Sequence, residues 1–308
     1  MTEAARQAAA DLAELRAGSG EAAHGQPVVD RLVALLDLER IEENIFRGVS
    51  PPQSPVRVFG GQVAGQALVA AGRTAPAERK VHSLHAYFIR PGDPSVPIVY
   101  EVDRIRDGRS FTTRRVTAVQ RGNAIFALSA SFHHVEPGIE HADRMPDVPD
   151  PETLPTRAEI IAEHADKLGV FATMPRPIDI RYVTDPPWVS RERGGTEARS
   201  QVWMRADGIL PADDLLHVCV LTYASDMTLL DSVLVRHGAY WGFDNVVGAS
   251  LDHALWFHRP FRADEWFLYD CASPSASGAR GLATGRFFTR DGTLIATVVQ
   301  EGLLRILD

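Results

Sequence analysis

Two stretches of the chain repeat one pattern of apolar and polar positions. Residues 59–71, FGGQVAGQALVAA, are apolar and rich in small side chains, and end at Gly72 and a break around Pro76. They predict a buried helix whose glycines admit close backbone approach, as when a helix lies in the concave face of a curved sheet. VHSLHAYFI, PIVYEVDRIRDG, SFTTRRVTAVQ and AIFALSASFHHV follow as strands, with turns at Asp107-Gly108 and Gly122-Asn123. The reading is one helix followed by a meander. Residues 217–235, HVCVLTYASDMTLLDSVLV, carry apolar groups at helical spacing toward their end. The strand-like runs LDHALWFH, EWFLYDCASPS, RGLATGRFFT and TLIATVVQEGLLRI come next, with Asp291-Gly292 in place of the earlier Gly122-Asn123.

A short motif ties the halves together. Phe-x-Arg-Pro occurs at 88–91 and at 257–260, and the offset of 169 also pairs Tyr100 with Tyr269 and Arg121 with Arg290. Residues 137–176 are rich in Pro, Asp, Glu and His, the composition of a surface linker. The organisation predicted is a flexible extension over 1–28, a first unit over 29–136, the linker over 137–176 and a second unit over 177–308.

Composition narrows the function. The 308 residues are 45% hydrophobic and 23% charged, with a formal net charge of −8 and no basic run. Nucleic acid is not an expected partner, and an anionic ligand must be held by local arginines. No stretch approaches the ~20 apolar residues of a membrane helix, so no membrane association is expected. The N-terminal sequence lacks the apolar core of a signal peptide, the C-terminal LLRILD is no retention or peroxisomal tag, and Cys219 and Cys271 read as buried reduced thiols. A cytoplasmic protein is the expectation.

Candidate chemistry is sparse. No G-x-S-x-G elbow occurs, which disfavours an acyl-enzyme route through serine. Asp226, beside the apolar face of a helix, reads as an N-terminal cap or surface acid unless something else is asked of it. Gln300, an amide in an apolar run, needs hydrogen-bond partners if buried and faces water if its strand is an edge. In LDHALWFHRPF, strand alternation puts Ser250, Asp252, Ala254 and Trp256 on one face and Leu251, His253, Leu255 and Phe257 on the other. The stretch is then mainly a framework strand, with His253 hydrogen-bonded; a His-Asp pair acting as base is the alternative reading. His82 with His85, and His133 with His134, lack partners at zinc spacing, so no metal site is expected. Gly60, Gly61 and Gly65 lack the preceding strand of a nucleotide loop.

VFGGQVAGQAL, HAYFIRPGD, IRDGRSFTTRRV, TYASD, LDHALWFHRPF, SASGARG and VVQEGLLR, in this order from Val29 to Leu307, resemble acyl-CoA thioesterase II, a family of medium- and long-chain acyl-CoA hydrolases. The resemblance implies an α+β fold of two tandem hotdog units, each a curved antiparallel sheet wrapped around a central helix. It implies hydrolysis of fatty acyl-CoA by an activated water, with Asp226, Ser250 and Gln300 as the catalytic set; Ser250 stands where the family is expected to carry threonine. No metal or redox cofactor is implied, CoA being part of the substrate. Arg280 is the preferred contact for CoA, Phe59, Leu255 and Trp256 are expected along an acyl tunnel, and Arg90 and Arg259 are read as structural. A backbone N–H near the start of a central helix is the expected oxyanion donor. A homodimer or homotetramer of the two-unit chain is expected. The rivals are a dehydratase or hydratase of the same architecture and an acyl-CoA-binding protein without turnover.

Overall fold

The computed structural model describes residues 24–51, 57–163, 176–194, 197–241 and 246–306. The first half comprises α1 (Gln26–Leu36), β1 (Glu39–Glu42), β2 (Ile45–Gly48), α2 (Gly60–Thr74), β3 (Arg79–Phe88), β4 (Ile98–Asp107), β5 (Phe111–Gln120) and β6 (Asn123–His134). The second comprises α3 (Arg157–Ala162), β7 (Ile178–Tyr182), α4 (Pro187–Arg193), β8 (Arg199–Ala206), α5 (Asp214–Ser225), α6 (Asp231–Arg236), β9 (Val246–Ser250), β10 (Asp252–Phe257), β11 (Phe267–Ser277), β12 (Arg280–Thr289) and β13 (Leu294–Ile306). One antiparallel sheet runs β1-β2-β4-β5-β6-β3-β10-β13-β12-β11-β8-β7, with β9 added to β13.

The meander covers only β4, β5 and β6, because β3 pairs with β6 rather than with β4. Placing β3 there exposes its other edge to β10, and the two units join through that pair. His85 stands opposite Ala254 at its centre, and these residues differ by the repeat offset, so the junction lies on the pseudo-twofold axis of the repeat. The Phe-x-Arg-Pro arginines do the same work in both halves. Arg90 donates to the Ala124 carbonyl (2.7 Å) and Arg259 to that of Leu294 (3.0 Å), each tying the strand end to its neighbour. These carbonyls differ by 170, so β13 carries one residue more than β6, and Ala130, opposite Arg114 as Gln300 is opposite Ala283, is the repeat counterpart of Gln300.

α2 is buried nearly all round and lies on β2 through β6, as expected of a central helix. Its glycines serve a different neighbour from the one anticipated. A Cβ on Gly61 would overlap the Tyr223 carbonyl oxygen, one on Gly65 would come within 3.2 Å of the Cys219 carbonyl oxygen, and one on Gly72 would meet Leu215. The glycine ridge therefore seats α5 antiparallel on α2, backbone against backbone. The helical spacing toward the end of 217–235 is met by two helices: α5 stops at Ser225 and α6 begins at Asp231. α6 covers β8, β11 and β12, and both cysteines are buried and unpaired.

Two boundary regions are more firmly held than a free tail and linker. Residues 1–23 lie outside the described residues, but Gly25 and Gln26 already grip the second half, through Gly25 N–H to Asp207 Oδ2 (2.6 Å) and Ile209 N–H to Gln26 Oε1 (2.7 Å). Residues 137–150 run along the outer face of the second unit. There Trp203 donates to the Pro149 carbonyl (2.9 Å), and Met145, Val148 and Leu154 pack on Trp203, Trp266, Leu268 and Phe288. Residues 164–175 of the expected linker lie outside the described residues.

Candidate active site

The antiparallel crossing of α2 and α5 sets the C-terminal end of one helix against the N-terminal end of the other. Asp226 is the residue after α5, not an N-terminal cap. A carboxylate at a helix C-terminus meets the negative end of the dipole, but here the free N–H groups of α2 face it and reverse that field. The Gly61 peptide N–H is hydrogen-bonded to the Asp226 carboxylate, and a Cβ on Gly60 would overlap Asp226 Oδ2. The first unit thus supplies the helix end and the second the acid.

Ser250 and Gln300 meet Asp226 at the same oxygen. Gln300 Nε2 donates to Oδ1 at 2.6 Å and Ser250 Oγ donates to it at 3.1 Å. Gln300 sits on a central strand and is fully buried. The face assigned to Ser250 from strict alternation is corrected by a bulge. Ser250 stands opposite Gly302 and Ala254 opposite Val299, a slip of one residue. At the slip, Leu251 N–H reaches the Glu301 carbonyl (2.9 Å) and the Asp252 carboxylate takes the Glu301 N–H (2.6 Å). The extra residue moves Ser250 from the face of Asp252 to the inner face of His253 and Leu255.

Electrostatics at Asp226 are a balance. Burial is the largest influence and pushes its carboxyl up, while the hydrogen bonds from Gln300, Ser250 and the Gly61 peptide and the positive charge of Arg57 pull it back, leaving it at about 6. Such a carboxyl is ionised at neutral pH yet more basic than a solvated aspartate. Arg57 is exposed and donates through Nη2 to the Gly248 carbonyl of β9 (2.7 Å), tying the first unit to the strand that ends in Ser250.

The remaining expected residues divide. Phe59 precedes α2 and stacks edge-on against Tyr223 (5.1 Å between centroids), beside Asp226. Trp256 is not on the inner face: it lies outside with His85 (5.1 Å), and alternation separates it from buried Leu255. Arg280 also lies on the outer face, 49% exposed, where it pairs with Glu301 (2.9 Å) and is turned away from Gln300. Asp252 caps the bulge, and His258 bonds Thr297 Oγ1 (2.9 Å). His253 is buried against Ser225, and burial holds its imidazole down at about 3 and therefore neutral. Gly60, Gly61 and Arg57 were not legible as site residues, because only the packing of one half on the other brings them to Asp226.

Residues 49–133 match a family model described as the acyl-CoA thioesterase N-terminal domain, and residues 172–303 match one described as acyl-CoA thioesterase. Acyl-coenzyme A thioesterase 8 of Mus musculus is 42% identical over 289 residues, 89% of each chain. The chain belongs to the acyl-CoA thioesterase family. Acyl-CoA thioesterase 2 of Haemophilus influenzae is 39% identical to this thioesterase, over 90% of this chain and 98% of the other. A crystal structure of an acyl-CoA thioesterase II from Mycobacterium marinum superposes with a TM-score of 0.73 at 45% identity, covering 89% of the thioesterase and 98% of that chain. The double hotdog fold and thioester hydrolysis follow for this chain.

Proposed function

We propose that this thioesterase hydrolyses medium- to long-chain fatty acyl-CoA by direct attack of a water held by Asp226, Ser250 and Gln300. The observation that carries the reading is the double donation of Gln300 and Ser250 to Asp226 Oδ1. Both side-chain donors occupy Oδ1, so Oδ2, which lies beside the N-terminus of α2, is the oxygen placed to accept a proton from water. The water oxygen forms a bond to the thioester carbonyl carbon as its proton passes to Asp226. The carbonyl oxygen gathers negative charge at the N-terminus of α2, where a peptide N–H stabilises it. Collapse breaks the carbon–sulfur bond, and the proton held by Asp226 neutralises the departing thiolate. The products are a free fatty acid and CoA. The sequence needs no metal or redox cofactor.

The same proposal takes the protein to be cytoplasmic and the two-unit chain to assemble as a homodimer or homotetramer. No helix among the described residues is long and apolar enough to cross a membrane. Thiol release from a panel of acyl-CoA esters, short to long, tests the substrate range, with the highest kcat/KM expected from medium chains upward. A thioesterase confined to short esters overturns the chain-length reading. Because the base works only when ionised, kcat/KM is expected to be near its plateau from about one pH unit above the value of about 6 held by Asp226, half-maximal at that value and falling below it. A rate flat from pH 5 to 8, roughly, contradicts Asp226 as the base.

A further inference from the structure

We propose that Ser225, His253 and Tyr269 form a neutral positioning lock that fixes the end of α5 and so aims Asp226; the proposal rests on the reading of Asp226 as the base. Ser225 is the last residue of α5, and all three side chains are buried completely. The carbonyl of a helix's last residue has no partner within the helix. Tyr269, reaching up from β11, donates its hydroxyl to the Ser225 carbonyl (2.8 Å). Ser225 Oγ donates to the Thr222 carbonyl (2.8 Å) and also lies 2.7 Å from His253 Nε2 on β10. A hydroxyl has one proton, so with that proton on Thr222 the imidazole must donate from Nε2. The last turn of α5 is thereby fixed from two strands, one residue before Asp226. Gly285 is part of the arrangement, since a Cβ there would overlap the Tyr269 ring, which stacks on Phe287 at 3.9 Å.

The repeat supplies an internal comparison. α2 ends at Thr74, followed by Ala75 where α5 has Asp226. The Thr74 carbonyl is also tied to the sheet, but by the buried guanidinium of Arg114 (2.9 Å), which pairs with Asp107 (2.8 Å). Arg114 stands opposite Ala130 as Ala283 stands opposite Gln300, so the second unit has alanine where the first has this cation. Leu84 occupies the repeat position of His253, and the Tyr100 hydroxyl, at the position of Tyr269, bonds Gln66 in mid-helix (2.7 Å). A guanidinium beside Asp226 would form an ion pair and strip the carboxylate of basicity. Uncharged donors hold the helix end without that cost, and they occur in the unit that carries the carboxylate.

Replacing His253 by leucine, the residue the repeat carries at this position, tests the lock. His253→Leu is expected to lower kcat at least ~tenfold while KM stays within about twofold, a split that marks loss of an interaction made in the transition state. In an Asp226→Asn background it is expected to cause no further loss, because the group it aims is gone. Unchanged kcat in His253→Leu overturns the proposal, and so does an equal loss in both backgrounds. Should His253→Leu not fold, Tyr269→Phe is read by the same criteria. Asp226→Asn measured alone separates failure of the lock from failure of the underlying reading: a fully active Asp226→Asn enzyme removes the base itself.

Discussion

Asp226→Asn is expected to lower kcat by about a thousandfold with KM little changed, within the range spanned by loss of a general base. Asparagine keeps the shape and one acceptor oxygen for the Gln300 and Ser250 donors but cannot take a proton. The same change has the opposite sign for stability. A carboxyl raised from its ordinary value to about 6 by burial favours folding in its protonated form, so its contribution is fully present below pH ~4 and is lost as the pH rises through 6. Above pH 6 the native protein holds an ionised, desolvated carboxylate that the variant lacks. Asp226→Asn is therefore expected to melt a few degrees higher than the native enzyme at pH 8, with the difference disappearing at pH ~4. Steady-state thiol release and thermal melts at the two pH values check both halves. A variant that is inactive and also less stable at pH 8 would point to a structural role.

Gly61→Val is expected to abolish activity and to destabilise the fold by about 3 kcal/mol, the upper part of the range for overpacking a close contact. The first added carbon already overlaps the Tyr223 carbonyl oxygen and the Phe59 ring, and backbone cannot step aside as a flexible side chain can. α2 and α5 must separate, which withdraws the helix end from Asp226. Gly65→Ala provides the graded control: its Cβ would lie 3.2 Å from the Cys219 carbonyl oxygen, close but tolerable with a small shift. The helix-forming preference of alanine, worth roughly 0.5–1 kcal/mol over glycine, offsets that shift. Urea denaturation with activity measured on each variant distinguishes the two positions. Equal behaviour of Gly61→Val and native enzyme would mean that the helices do not cross as described.

The features legible in the sequence are those set by local periodicity. Alternation locates β3 to β6 and β10 to β13, and the Phe-x-Arg-Pro offset gives the repeat whose related residues pair at the junction, which only the structure reveals. β1 escaped notice because ERIE is exposed throughout, and β7 and β8 because their short runs follow a loop-rich stretch. The observed strand order departs from a simple meander because the pairing of β3 with β6 skips two strands, which no local signal encodes. The face of Ser250 was missed for a similar reason: a one-residue bulge at Leu251 inverts every parity beyond it. Trp256 and Arg280 were placed by chemical type alone, and the outer face they occupy follows from register. Asp226 by itself looked like a cap. Only the family resemblance assigned it chemistry, since the α2 end that faces it lies more than 160 residues away in the chain.

The pH dependence of kcat/KM, compared between native enzyme and Gln300→Met, decides whether Asp226 is the base and whether its neighbours tune it. Methionine approximates the length of glutamine without a donor, so the hydrogen bond that lowers the Asp226 carboxyl is removed while the volume is kept. An acidic limb is expected near pH 6 in the native enzyme and displaced to higher pH in the variant. A limb at the same pH in both enzymes, with only the plateau lowered, would show that the group controlling turnover is not the carboxylate that Gln300 touches.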